Sequence, residues 1–453
     1  MALQVNADGT WVAEFTGPYG GLNTMEPATN ISDKFSPAFN NFMLRNAELR
    51  SRPALVRATT PLGGGTVLPG NGVCLGITNF VDIQGKYHVC SWQGRSLYQV
   101  DTNTGFWDVV GNASPANLQQ NTVRYRAFAN NLWWTSISQP IGGPVPNLVG
   151  GGGQPPGGGA TIPFLAYWDG LAAAPVYQQT LYDASVSNSV AAIAAASSPT
   201  VSGSLNQFYP QIPGGLVGPL NLGAQFLAEL NNQLLLANVM MEDQNTGLLY
   251  NLPNILWWSA NGLPLQWDPT QNTSAGFDVF FDVSDLITGL MTLGVAGYIF
   301  RSYGITQFAP TGSATAPFQF NHMWASEHGV GNVLAWSVAQ YGQQGAFVAQ
   351  DNIYALTLTN ATTIGGKSRD AIMTDISNMM PGAPFAPGVP YGALTPIFKG
   401  GYVYLIYQLL IPFSDHVRLW VYSFEDNNWS PWDLAIGNNL ILVPTIYCPP
   451  NVV

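Results

Sequence analysis

Short runs of alternating apolar and polar residues, divided by turn residues, recur from about residue 73 to the end of the chain. Val73 to Val81, Tyr87 to Trp92, Ser96 to Val100 and Phe106 to Val110 are four of them, separated by turns such as Gln84-Gly85 and Asn103-Thr104-Gly105. A period of two over four to eight residues, bounded by Gly, Asn or Asp, predicts a half-buried strand ending in a tight turn. Four such runs in series predict one four-stranded unit. Thr122 to Ile137 and Phe164 to Trp168 continue the pattern, as do Phe226 to Asn238 and Ile255 to Trp267. Three further units run from Leu293 to Met323, Val333 to Ile364 and Leu394 to Leu434. The last is the clearest: Val403 to Leu410 and Val417 to Phe424 read as strands, and Asp426-Asn427-Asn428 turns the chain before Trp429.

Trp-Asp pairs close several of these phrases, at Trp107-Asp108, Trp168-Asp169, Trp267-Asp268 and Trp432-Asp433. The first two lie 61 residues apart (168 − 107) and the last two 165 apart (432 − 267), about three equal steps. A strand-rich unit recurring at that length predicts an all-β fold, a β-propeller of about six blades. The tail from Asn439 to Tyr447 supplies a spare strand to complete the first blade and close the ring. In this reading each Trp wedges between blades and each Asp bonds a nearby turn. Residues 61–453 form the propeller, with an insert at about 139–222 rich in Gly, Pro, Ala and Ser. Its run from Gly150 to Gly159 has no side chains with which to pack a core. Residues 1–60 form an irregular N-terminal arm: a strand at Thr10 to Phe15, the chain-breaking Gly17-Pro18-Tyr19-Gly20-Gly21, then a turn or two of amphipathic helix within Phe35 to Leu49.

Composition narrows the function. Charged residues are 9% of the chain, against about 25% in an ordinary soluble domain. So few charges predict a surface largely covered by other protein, the other reading being an extracellular surface rich in Asn, Gln, Ser and Thr. The net charge is −11 and the lysines are only Lys34, Lys86, Lys367 and Lys399, which argues against a phosphate-gripping nucleic-acid binder. The one dense basic spot is Arg45, Arg50 and Arg52, with Arg57 beyond. Cys74, Cys90 and Cys448 make no disulfide framework, although Cys74 and Cys90 fall in neighbouring predicted strands. Met1 to Gln4 has no basic, apolar signal character, and Val190 to Ala196 is far shorter than the roughly 20 residues that cross a bilayer. The expectation is a protein made in the cytoplasm with no membrane segment.

Candidate chemistry is sparse. His322 and His328 flank Glu327 at a spacing of six, which a helical zinc motif does not use. Ser326-Glu327-His328 lacks the strained elbow that exposes a serine nucleophile. Gly365-Gly366-Lys367-Ser368 matches the end of a phosphate loop, but Ala361 holds the place of the leading glycine and no strand-to-helix context is expected there. Asp278, Asp282 and Asp285 form the one acidic cluster, read as a solvated turn rather than a glycosidase pair or calcium loop. No catalytic residue, metal or cofactor is therefore expected.

Gly20-Gly21-Leu22-Asn23-Thr24, Pro27, Asn40-Asn41-Phe42, Leu49 and Arg52-Pro53 resemble the opening of tail nozzle (tail hub) proteins of short-tailed bacteriophages. Leu293 to Ala309 is similar to a strand-turn-strand phrase of the same family. The resemblance implies a structural virion protein of the tail: a homo-oligomeric, hexameric ring below the tail adaptor protein, through which viral DNA passes without specific binding. It also implies a needle or tip protein below and fibre or spike proteins around the side. Phe39, Asn40, Phe42, Arg45, Arg50, Arg52 and Pro53 are then the expected assembly contacts, with the planar arginine fork suited to fixed pairs. The rival expectation is a receptor-binding or lectin-like propeller; a third is a polysaccharide-degrading one using the acidic cluster.

Overall fold

A computed structural model describes residues 74–93, 96–100, 107–112, 123–136, 164–178, 220–243, 248–267, 269, 274–280, 286–301, 303–314, 316–324, 331, 337–379, 392–399, 402–410 and 416–435, together with short strands at 2–5, 11–14, 21–22, 35–36, 42–45 and 48–51. The body consists of six four-stranded antiparallel sheets, each built from four strands consecutive in sequence. The first holds Cys74–Val81, Tyr87–Gln93, Ser96–Val100 and Trp107–Asn112; the second Arg124–Phe128, Asn131–Ser136, Phe164–Trp168 and Val176–Gln178. The third holds Leu220–Leu230, Gln233–Asp243, Leu248–Trp258 and Gly276–Val279; the fourth Ile287–Leu293, Ala296–Arg301, Gly304–Pro310 and Phe318–Trp324. The fifth holds Val338–Tyr341, Gln344–Val348, Ile353–Leu356 and Ala361–Thr363, and the sixth Gly392–Lys399, Tyr402–Leu410, His416–Ser423 and Asn428–Ala435.

Turn chemistry fixes the registers. Phe128 pairs with Asn131 and Leu230 with Gln233, leaving the two-residue loops Ala129-Asn130 and Asn231-Asn232. All four loop residues have φ between 49° and 60°, the type I′ geometry whose twist suits a hairpin and which asparagine tolerates.

The core lies between sheets. Five apolar clusters bridge the first sheet to the second, the second to the third, and so on to the sixth. Neighbouring tryptophans show how strand alternation feeds two clusters at once. Trp133 packs toward the third sheet and Trp134 toward the first; Trp257 packs toward the second and Trp258 toward the fourth. All four are essentially solvent-free, and burying a side chain of this size contributes on the order of 2–3 kcal/mol. The first strand of each sheet also lies against the first strand of the next.

The all-β expectation agrees with this architecture, but the β-propeller does not. The first sheet takes all four strands from residues 74–112 and needs no strand from the tail. Among the described residues no strand pairing and no apolar cluster joins the sixth sheet back to the first. The structure is a series of six small sheets, not blades closed into a ring. The proposed closing strand, Asn439 to Tyr447, and the glycine run at 150–159 lie outside the described residues.

Two local expectations are also corrected. The stretch read as amphipathic helix forms strands instead: Phe35–Ser36 beside Gly21–Leu22, and a hairpin of Phe42–Arg45 with Glu48–Ser51. The unit ending at Ile364 continues into a 3-10 turn, Gly366–Ser368, and a helix, Arg369–Met379. That helix is anchored from outside its own sequence: the Asp375 carboxylate accepts bonds from Arg418 (3.1 Å) and from the Trp420 indole N–H (2.9 Å). No helix among the described residues is long and apolar enough to cross a membrane.

Candidate assembly interface

The predicted interface falls on the arm, and the structure places part of it. Phe42, Arg45 and Arg50 stand in the hairpin, whereas Phe39, Asn40, Arg52 and Pro53 lie outside the described residues. The hairpin register sets Phe42 opposite Ser51, Met43 opposite Arg50, Leu44 opposite Leu49 and Arg45 opposite Glu48. Strand Phe42–Arg45 lies against the last two strands of the sixth sheet, at the end of the series.

The other candidate residues are not brought together into a reaction centre. Asp278 is buried on the last strand of the third sheet, where it accepts the Val279 N–H at 2.8 Å; Asp282 and Asp285 lie outside the described residues. His322 is exposed on the fourth sheet with Nδ1 3.2 Å from the Thr306 hydroxyl, and residues 326–328 are not described. The first-sheet register puts Cys90 opposite Thr78, four residues from Cys74. At about 3.4 Å per strand residue that separation is too long for a disulfide. Cys90 is a free buried thiol, and burial pushes its pKa up.

Gly365 to Ser368 does sit between a strand, Ala361–Thr363, and a helix, contrary to the sequence expectation. Its geometry does not favour a phosphate cradle, because three amides in and after it are engaged within the protein. Gly365 N donates to Asn352 Oδ1 (3.1 Å), Ser368 N to Gly365 O (3.2 Å), and Arg369 N to Gly366 O. A cradle requires those N–H groups to point at an anion.

A polar cluster missed in the sequence holds the first sheet to the second. Asp82, in the first hairpin turn, lies 2.9 Å from His88 Nε2 and accepts the N–H groups of Gln84 (2.8 Å) and Lys86 (2.9 Å). His88 Nδ1 lies 3.2 Å from Gln99 Oε1, and its ring stacks on Phe80 and meets Trp168 edge-on. The His88 bond holds the Asp82 carboxyl below its ordinary value; burial pulls the other way, and the two backbone donors lower it further. The sequence signal was a carboxylate opening a Gly turn with a histidine leaving it. Between the second and third sheets, the Arg124 guanidinium stands 5.5 Å over the Phe226 ring. Burial lowers its pKa to about 9, so it stays charged at neutral pH and stacks as a cation.

One Trp-Asp pair shows the expected structural role in full, whereas Asp108 is exposed on its strand and Asp268 lies outside the described residues. Trp168 Nε1 donates to Ala172 O (2.8 Å), while Asp169 Oδ1 accepts the N–H groups of Leu171 (2.9 Å) and Ala172 (2.7 Å). Trp267 Nε1 donates to Pro264 O at 2.8 Å.

No protein-family model matches the chain, and no curated protein sequence matches it. Solved structures give only distant likenesses. A prolyl endopeptidase is 11% identical, with a TM-score of 0.34, over 79% of this chain and 41% of its own. Dipeptidyl peptidase 4 of Porphyromonas gingivalis is 8% identical, with a TM-score of 0.33, over 78% of this chain and 44% of its own. YCF48 of Cyanidioschyzon merolae is 10% identical, with a TM-score of 0.32, over 75% of this chain and 94% of its own. The chain thus spans less than half the length of the two peptidases. Scores of this size establish no shared fold and carry no function across.

Proposed function

We propose that this chain is a non-enzymatic structural protein of a virion, serving as a nozzle or hub component of a short phage tail. The observation that carries the reading is the arm hairpin, Phe42–Arg45 with Glu48–Ser51, whose first strand lies against the last two strands of the terminal sheet. An arm element at the end of the sheet series is suited to pin one subunit to the next, or to the adaptor above it. The resemblance over residues 20–53 supports the same assignment. So does the charge balance, since a net −11 disfavours adhesion of DNA to a conduit it must traverse. In this reading the subunits assemble as a closed hexamer with fibre or spike and tip proteins attached.

The lectin-like alternative has no specific observation behind it. Sugar-stacking requires exposed aromatic faces, and among the described residues Tyr303 is the only strongly exposed large aromatic side chain. The test is native mass spectrometry and negative-stain imaging of the chain, alone and with virion lysate, beside the Arg50→Ala/Arg52→Ala variant. Closed rings from the native chain, and folded monomers from the variant, are expected. A native chain that stays monomeric with lysate and is retained on a glycan array overturns the proposal.

A further inference from the structure

Asn261-Gly262 is the one Asn-Gly pair among the described residues, and both members are exposed. A glycine carries no side chain to shield its own amide nitrogen, which can approach the side-chain carbonyl carbon of the asparagine before it. The reaction closes a five-membered succinimide. The Gly262 N to Asn261 Cγ bond forms, the Cγ to Nδ2 bond breaks, and Nδ2 leaves as ammonia with the proton that Gly262 N gives up. Water then opens the ring at either carbonyl, leaving aspartate or isoaspartate at position 261. Such chemistry makes asparagine a thermolabile residue.

The fold engages each of the reacting groups elsewhere. Beyond strand Leu248–Trp258 the chain makes a tight turn, closed by Leu263 N donating to Ala260 O at 3.0 Å. Gly262 has φ 69°, the left-handed conformation that the third position of such a turn reserves for glycine. The Asn231-Asn232 turn of the preceding hairpin grips this tip at three points. Gly262 N, the nucleophile, donates to Asn232 O at 2.8 Å. Attack requires that nitrogen to lose its proton, which forfeits the bond and leaves the nitrogen facing a carbonyl oxygen. The Asn261 side-chain amide is held at both of its ends: Nδ2 donates to Asn231 O (3.3 Å) and Oδ1 accepts from Asn232 Nδ2 (3.3 Å). The Asn261 N–H donates to Ser274 Oγ at 3.1 Å. The two side-chain bonds are long, so the 2.8 Å backbone bond is the main restraint.

From this arrangement we infer that Asn261 is a conditional deamidation site, closed while the two turns of the third sheet stay together and opened when they separate. The product works against the closed form. Aspartate at 261 sets an acceptor against Asn231 O, where the amide had donated, so conversion loosens the tip that had suppressed it. A transient local opening is thereby recorded as a permanent negative charge on the third sheet. The inference does not depend on the assembly role proposed above.

The test is peptide mapping by mass spectrometry of the full-length chain, aged at mildly alkaline pH in buffer and in concentrated urea. Conversion at Asn261 is expected to be roughly tenfold or more slower in the folded chain, because opening must precede attack. Ser274→Ala removes the hydroxyl that accepts the Asn261 N–H and nothing from the backbone. It should speed conversion in buffer about fivefold, the weight of one hydrogen bond on the opening equilibrium, and leave the rate in urea unchanged. Asn261→Asp, standing for the product, should speed hydrogen exchange at the Gly262 amide severalfold. Equal conversion of the native chain in buffer and in urea overturns the inference. A Ser274→Ala rate equal to native in buffer overturns the part given to the turn contacts, and unchanged Gly262 exchange in Asn261→Asp overturns the loosening by the product.

Discussion

Gly297 and Phe308 face each other across the second and third strands of the fourth sheet, and the phenylalanine ring lies over the glycine where a side chain would otherwise stand. A β-carbon added at Gly297 would fall 2.0 Å from Phe308 Cζ, 2.3 Å from Cε1 and 2.5 Å from Cε2. No real carbon pair tolerates such distances, so Gly297→Ala must move the ring. Phe308 is fully buried against Trp258-side neighbours: Phe318 meets its ring edge-on at 5.4 Å and Phe320 is tilted at 5.7 Å. The ring has nowhere to go without displacing the cluster between the third and fourth sheets. Overpacking of this kind costs about 1–3 kcal/mol. Phe308→Ala alone leaves a cavity and costs about 3–5 kcal/mol. In the double variant the new methyl occupies vacated space, so the Gly297→Ala penalty should vanish or reverse, giving a coupling of about 1–3 kcal/mol. Urea denaturation followed by tryptophan fluorescence measures all four corners of the cycle. A neutral Gly297→Ala, or a penalty that persists unchanged without the Phe308 ring, refutes the packing argument.

Two further outcomes are expected. Because the folded Asp82 pKa is depressed, its stabilising contribution is fully present above the ordinary value of 3.8 and is lost as pH falls through the lower folded value. Acid titration of stability should therefore show a limb below about pH 4 that diminishes in Asp82→Asn, and an unaltered limb would count against the His88 link. Asp169→Ala should destabilise by about 1–3 kcal/mol in thermal melts, since two loop N–H groups lose their acceptor, whereas Asp108→Ala, at an exposed strand position, should lie within about 0.5 kcal/mol of native. Equal effects at the two positions would contradict the separate roles assigned to them.

What the sequence disclosed was mostly local. Alternation and turn residues located all four strands of the first sheet and the middle two of the sixth. The predicted fourth unit begins at Leu293 and so misses strand Ile287–Leu293, while the structural reading of Trp168-Asp169 agrees with the bonds observed. The arm was misread because Phe39, Phe42, Met43 and Leu49 satisfy a helical spacing, while the hairpin is set by a two-residue turn that carries no glycine. Helix Arg369–Met379 escaped notice for a different reason. Its buried apolar residues are essentially Ile372 and Ile376, too few to mark a periodic face. Its hold on the fold comes from Asp375 bonding to Arg418 and Trp420, more than forty residues away. Likewise, nothing in the order of residues places His88 against Trp168 or Arg124 over Phe226.

The propeller failed at the step where local reasoning ceased to apply. All four-stranded sheets pair strands that are neighbours in sequence, and most of those pairs are hairpins whose registers their own turns can set. Closure is the single feature that must join residues at opposite ends of a 453-residue chain. Neither a repeat length nor a Trp-Asp spacing contains information about such a contact, because both are satisfied equally by an open series and a closed one. The consequence for function is direct. Among the described residues each of the two terminal sheets shares an apolar cluster with one neighbour, and the arm hairpin lies on the sixth. If assembly uses that terminal sheet, substitutions on the arm should alter subunit number while leaving the folded monomer intact.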